Sequence, residues 1–208
     1  MVITGCKEKT SQKVINSDST ISRVDSMSMI HAQEQSEKTV YQYDTLLKNG
    51  YYISYKATDS LQYLYLKKKD SIITEVSSIE SGLLPKNLGY VVADYGDCFL
   101  LIHSYGSGNP HYFELLEKSK GKKILEGTYI DTDEEKQVLL YDITDSLTNN
   151  KLVLYNIQNN KKSIYDYPTD ITCKAGIEDC VKLVKITDDE LIINYSNSKG
   201  ESEQSYER

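Results

Sequence analysis

Asp131, Asp133 and Glu135 alternate through Ile130-Asp-Thr-Asp-Glu-Glu-Lys136, and oxygen ligands at every second position are how a tight calcium loop begins. The sixth position, where such a loop needs glycine, is Lys136, and Asp142 stands where a bidentate glutamate would. The triplet therefore reads as an acidic turn, and no metal or other cofactor is assigned. His103 and His111 flank Ser104-Tyr-Gly-Ser-Gly-Asn-Pro110, a serine beside a candidate base. A hydrolase would set that serine in a Gly-x-Ser-x-Gly elbow. The stretch has ordinary loop composition instead, so no catalytic residue is assigned and a non-enzymatic role is expected. Cys98, inside Cys98-Phe-Leu-Leu-Ile102, reads as a small buried hydrophobe rather than a nucleophile.

The remaining charge pattern belongs to turns. Asp94 and Asp97, then Asp131, Asp133, Glu134 and Glu135, then Asp188 and Asp189 each sit between two apolar runs, as does Thr58-Asp-Ser60. Lys120-Gly-Lys-Lys123 and Lys161-Lys162 follow at later turns of the same units. In a four-stranded meander the first and third turns share an end, so acidic and basic loops are expected to alternate along one rim. The eight acids are the candidate partner-binding loops. With 31 acidic against 24 basic residues, a net charge of −7, the chain lacks the electrostatic drive that nucleic-acid binding needs.

Strands must position these turns. Three stretches begin at Tyr51, Tyr90 and Tyr129, an interval of 39 residues each time (90 − 51 and 129 − 90), and each runs apolar, polar turn, apolar. A looser copy begins at Lys182. In the second unit, turn residues separate strands over 89–94, 97–105, 111–117 and 121–126, and in the third over 128–132, 137–143, 151–157 and 161–167. The expected fold is all-β, with antiparallel four-stranded meanders repeated at about 39–40 residues in a small propeller-like array. A β-sandwich or open barrel is the alternative. Residues 39–208 are assigned to this domain. The last unit lacks an outer strand, and Thr39-Val-Tyr-Gln-Tyr43 is expected to supply it. Eighteen tyrosines and no tryptophan place the aromatic load on strand positions.

The first residues, Val2-Ile-Thr-Gly-Cys6, resemble the lipobox of bacterial lipoproteins. Residues 7–38 are rich in Ser, Lys, Glu and Gln, as a disordered tether would be. The resemblance implies export, lipidation of Cys6, and attachment at the cell envelope. Lys7 after that cysteine points to the outer membrane, facing the periplasm or the surface. In an exported chain Cys173 and Cys180, seven apart, are expected to form a disulfide that pins a loop. Their spacing is not that of a Cys-x-x-Cys redox pair, and no histidine stands beside them for zinc. Mean hydropathy is −0.50, and no apolar run approaches the ~18 residues a membrane helix needs. The expected function is that of a lipid-anchored envelope protein binding a protein partner, in the class of immunity proteins against periplasmic toxins. A glycan-binding or glycan-processing surface lipoprotein is the alternative, with Asp131, Asp133 or Glu134 as its carboxylates.

Overall fold

A computed structural model describes residues 44–106, 109–143, 150–173 and 176–208, Glu178 by its backbone alone. Cys6, the tether and the Thr39–Tyr43 segment lie outside the described residues. The fold is all-β and antiparallel, and none of its sheets closes into a barrel; a sandwich-like arrangement fits it. The first sheet runs β1 (Thr45–Leu46), β2 (Tyr51–Ala57), β3 (Leu61–Lys68) and β4 (Ser71–Glu80) in sequence order. The second holds β5 (Tyr90–Asp94), β6 (Cys98–His103), β7 (Tyr112–Glu117), β8 (Lys123–Asp133), β9 (Val138–Ile143), β10 (Lys151–Asn156) and β11 (Lys161–Asp166), again as a plain meander. The third is β12 (Val181–Ile186), β13 (Glu190–Asn197) and β14 (Gly200–Glu207). Among the described residues no helix is long and apolar enough to cross a membrane.

The strands 121–126 and 128–132 read from the sequence are one strand, β8, which pairs with β7 through its first half and with β9 through its second. Thr128 faces Tyr112 on one side and Asp142 on the other. The chain leaves one end of the sheet at Lys123, opposite Leu116, and is back there by Glu134, which bonds Lys48 and the Asp94 amide. β8 therefore bends in its middle, at Gly127 and at the bulge between Tyr129 and Asp131. Gly127 is needed there for space: a Cβ would sit 3.2 Å from the Phe113 ring and 3.3 Å from the Tyr141 ring.

The bend folds the second sheet into two arms whose inner faces meet. Ala93, Cys98, Leu100, Ile102, Phe113 and Leu115 of the first arm pack on Leu139, Tyr141, Val153 and Tyr155 of the second. The outer face of the first arm, through Phe99, Leu101 and Leu116, packs on Ile53, Leu64 and Leu66 of the first sheet. The outer face of the second arm, through Val138, Leu140, Leu152 and Leu154, packs on Val181, Leu191 and Ile193 of the third. Strands covered on both faces lose the alternation of a half-exposed strand. This is why Cys98-Phe-Leu-Leu-Ile-His103 is buried throughout, and why Val138-Leu-Leu-Tyr141 and Leu152-Val-Leu-Tyr155 are unbroken apolar runs.

The interval from 90 to 129 is structural: Tyr90 and Tyr129 each open the inner strand of an arm, and both pack against the core between the arms. The interval from 51 to 90 is not. Tyr51 opens the second strand of its sheet and packs in the first-sheet core, at the opposite end from Tyr90. The position expected for Thr58-Asp-Ser60 is filled by the turn Lys48–Gly50, and residues 58–60 lie at the far end, where the Ser81 amide donates to the Ser60 carbonyl at 3.0 Å.

Cys173 and Cys180 are bonded to each other, with Cα atoms 5.6 Å apart, and Cys180 is buried in the third-sheet core. The bridge ties the helical turn Ile177–Cys180 to the chain leaving Ile171, which makes an isolated bridge with Asn197. So short a closed loop contributes about 2 kcal/mol through the unfolded chain. Reduction is accordingly expected to lower the urea-unfolding free energy by about that amount without changing the cooperativity of the transition. A midpoint unmoved by reductant would show the bond to be dispensable.

Candidate functional site

One end of the molecule gathers the turns Lys48–Gly50, Asp94–Asp97, Lys118–Lys122, Glu134–Gln137 and Thr187–Asp189. Lys48–Gly50 is a tight hairpin turn with Asn49 at φ 64° and Gly50 at φ 72°, the left-handed pair that Asn-Gly supplies, and the Leu47 amide closes it on the Tyr51 carbonyl at 2.9 Å. It carries Lys48 to the ends of both arms. The Lys48 Nζ donates to Glu134 Oε1 at 2.6 Å and to the Asp94 carbonyl at 2.7 Å, while its backbone amide donates to Asp94 Oδ2 at 2.5 Å. The Asp94 amide in turn donates to Glu134 Oε2 at 3.2 Å. Asn49 Nδ2 reaches the Gly96 carbonyl at 3.3 Å.

Beneath this crossing lies Lys118, only 1% exposed. Its ammonium is ion-paired with Asp94 Oδ1, donates to the Lys48 carbonyl at 3.3 Å, and lies 5.9 Å from the centre of the Tyr51 ring. Burial works against the charge on Asp94, but the Lys118 ammonium and the Lys48 and Gly96 amides outweigh it and hold the carboxyl below the usual carboxylate range. Nothing in Glu117-Lys-Ser-Lys-Gly-Lys-Lys123 marks Lys118 apart from its neighbours. The Asn49-Gly50 dipeptide, by contrast, was a readable signal for the first turn of this end.

The eight acids expected to face a partner divide into two sets. Asp94 and Glu134 belong to the crossing just described. Asp131 accepts from the Thr132 amide at 2.8 Å and, across to the third sheet, from the Leu183 amide at 2.9 Å. Asp133 caps the Lys136 amide at 2.9 Å. These four hold turns in place, and the carboxylates named for glycan chemistry are among them. Asp97, Glu135, Asp188 and Asp189 are exposed, and no side-chain partner reaches them among the described residues. The expected basic loops divide likewise. Lys123 is drawn back to Glu114 at 2.7 Å and Glu126 at 2.5 Å, whereas Lys120, Lys122, Lys161 and Lys162 stay exposed or half-exposed. A hollow of about 320 Å³ lined by Lys136, Gln158, Asp188 and Arg208 separates the second-arm turns from Thr187–Asp189. At the opposite end, beside the disulfide, an open hollow of about 590 Å³ is lined by Thr172, Asp179, Asn197 and Glu201.

The serine and histidines do meet in part. Ser104 Oγ lies 3.2 Å from His111 Nε2, but no carboxylate pairs with His111 among the described residues. His103 instead turns to Glu114 Oε2 at 3.4 Å and to the Asn87 carbonyl at 3.1 Å, fastening the helical turn Pro85–Leu88 to the sheet. The His103 contact, with Lys123, holds the Glu114 carboxyl low. Burial pushes the Cys98 thiol up to about 11, which keeps it protonated and unreactive at neutral pH. No group of three or more His, Cys, Asp or Glu side chains is disposed to hold a metal ion among the described residues.

No family model matches the chain, and no curated protein does. Among solved structures it is similar to an uncharacterized protein of Listeria monocytogenes EGD-e, with a TM-score of 0.34 and 11% identity over 78% of this chain. The match spans about half of that protein, 52% of its length.

Proposed function

We propose that the chain is a non-catalytic, protein-binding β scaffold held at the cell envelope through a lipidated Cys6. The observation that carries this reading is the division of the rim acids. Asp94, Asp131, Asp133 and Glu134 fasten the turns, and so present Asp97, Glu135, Asp188 and Asp189 as charges that no side chain pairs among the described residues. Charges held on ordered turns and left unpaired favour a complementary basic surface, and act chiefly on its association rate and specificity. The four units are read as blades of a small propeller-like array, on the strength of the equivalent Tyr90 and Tyr129 strands and the one rim their turns share. Within the binding class, acidity and size favour an inhibitor or immunity protein that neutralises an envelope-directed toxin, an analogy of class alone.

The test compares wild type, Cys6→Ser and the quadruple variant Asp97→Asn, Glu135→Gln, Asp188→Asn, Asp189→Asn in envelope fractions of the source cell. Wild type is expected in the membrane fraction with a salt-sensitive protein partner. Cys6→Ser is expected in the soluble fraction, and the quadruple variant should melt as wild type does but lose the partner. Capture unaffected by the four neutralisations, or no capture at any salt concentration, would refute the rim as a binding face.

A further inference from the structure

Val138, Asn156 and Lys161 stand side by side on β9, β10 and β11 at the rim end of the second arm. Alternation puts them, with Leu154 and Ser163, on the face turned to the third sheet, and puts Lys162, paired with Tyr155, on the other. Farther in, the first of these faces is filled by Leu140, Leu152 and Leu154 packed on the third sheet. At the rim Asn156 and Lys161 stand where apolar side chains would continue that filling, and two hollows open between the layers. The larger, about 320 Å³, is lined by Lys136 and Thr187, and the smaller, about 220 Å³, by Lys161 and Ser163. Asn156, Asp188 and Arg208 line both.

The lining is rich in donors. Asn156 Oδ1 accepts from the Asn159 amide at 3.2 Å, and Asn159 Oδ1 from the Lys161 amide at 3.0 Å, so each carboxamide has its NH2 group to offer a ligand. Arg208 is held by its own turn: Nη1 donates to the Thr187 carbonyl, and the backbone amide to the Asp189 carbonyl at 3.0 Å. The Asp133 cap fixes the backbone at Lys136, as Asn159 does at Lys161. Neither lysine forms an ion pair among the described residues. Three cations thus line a space that holds one carboxylate, Asp188, in a chain whose net charge is −7. Cations gathered around one hollow repel one another, and a bound anion relieves that repulsion.

We infer that this double hollow binds a small molecule carrying two anionic groups, phosphate or carboxylate. One group is held between Arg208 and Lys136 in the larger hollow, the other between Arg208 and Lys161 in the smaller. A guanidinium suits the shared position, because its fork of N–H donors can serve two oxyanions at once. The NH2 groups of Asn156 and Asn159 add neutral donors. Val138, Leu154 and Ile186, all buried, give the walls an apolar part against which a short spacer can lie. Asp188 opposes the ligand. The site is independent of partner capture by the rim acids, which needs the charge on Asp188 that anion binding would be better without.

Isothermal titration calorimetry of the full chain tests the inference with pyrophosphate and glutarate, each beside its one-headed counterpart, inorganic phosphate and acetate. At least one two-headed anion is expected to bind about tenfold tighter than its counterpart, because its second group is captured at high effective concentration. Which of the two binds tells phosphate from carboxylate chemistry. Lys136→Gln and Lys161→Gln should each weaken that anion about tenfold. Lys162→Gln, the same charge change on the other face, should leave its affinity within about twofold. All three lysines are exposed, so the variants should melt as wild type does. Asp188→Asn should tighten the anion while weakening partner capture, so either reading can fail alone. No binding of either two-headed anion up to about 10 mM overturns the inference. So does equal weakening by Lys162→Gln, which would reduce the effect to the general field of the protein, and so does an effect at one hollow's lysine without the other's.

Discussion

Asp94→Ala is expected to destabilise the fold by about 3–5 kcal/mol, because it strands a buried ammonium. Lys118 is 1% exposed, and without Asp94 the carbonyl of Lys48 at 3.3 Å is the polar contact left to it. The same substitution frees the Lys48 amide, so the turn that crosses both arms loosens as well. Removing both charges separates the two effects. Asp94→Ala with Lys118→Met leaves no orphaned charge and should recover at least about 2 kcal/mol relative to the single variant, since an apolar replacement of a buried pair is often nearly neutral. Urea unfolding of the four chains measures this, and a cost below about 1 kcal/mol for Asp94→Ala would mean that water reaches Lys118.

The same pair sets the acid limb. The Asp94 carboxyl lies below its ordinary value in the folded chain, so its contribution is fully present above the unfolded value of about 3.9 and disappears as pH falls through the folded value. Wild type should therefore lose stability below about pH 4, and the double variant should lose less over the same interval.

Phe113→Ala is expected to cost about 3–5 kcal/mol, the range for emptying a fully buried aromatic site. Phe113 is 0% exposed and meets Tyr141 edge to face, with ring centres 5.3 Å apart at 69°. It stands at the bend, where Gly127 lies against both the Phe113 and the Tyr141 rings. This gives a signature beyond simple loss of volume. Gly127→Ala crowds Phe113 in wild type, but the vacated ring should leave room for the methyl group, so the two changes together should cost less than their sum by about 0.5–1 kcal/mol. Strict additivity would place the slack elsewhere.

Much of the fold was legible because strands buried on both faces leave unbroken apolar runs. Cys98–His103, Val138–Tyr141 and Leu152–Tyr155 announce themselves, and so do most of the turns between them. Two features were hidden for physical reasons. Gly127 looks like punctuation between strands, whereas it serves close packing inside one bent strand; glycine is compatible with both, and only the ring on each side decides. Tyr51 mimics Tyr90 because a β-favouring residue suits the start of a strand whatever its place in the sheet. The Asn49-Gly50 dipeptide just before it was the better marker, since left-handed backbone at two successive residues is demanded by so few structures. In the site, the sequence expects four acidic turns on one rim; three lie there, and Thr58-Asp-Ser60 lies at the far end. It could not divide them into fastening and free, because that division depends on amides supplied by distant residues, Leu183 for Asp131 and Lys48 for Asp94. Lys118 was invisible for the same reason, being one lysine among four within seven residues.

The bent β8 makes one backbone serve two layers. A fluctuation that breaks its pairing with β7 pulls on the residues that pair with β9, so neither arm has a private route to opening. The flanking sheets, joined to the arms mainly by side chains, are under no such constraint. Heat or denaturant should peel this molecule from its outer layers inward, and leave a doubled central slab as the last thing to melt.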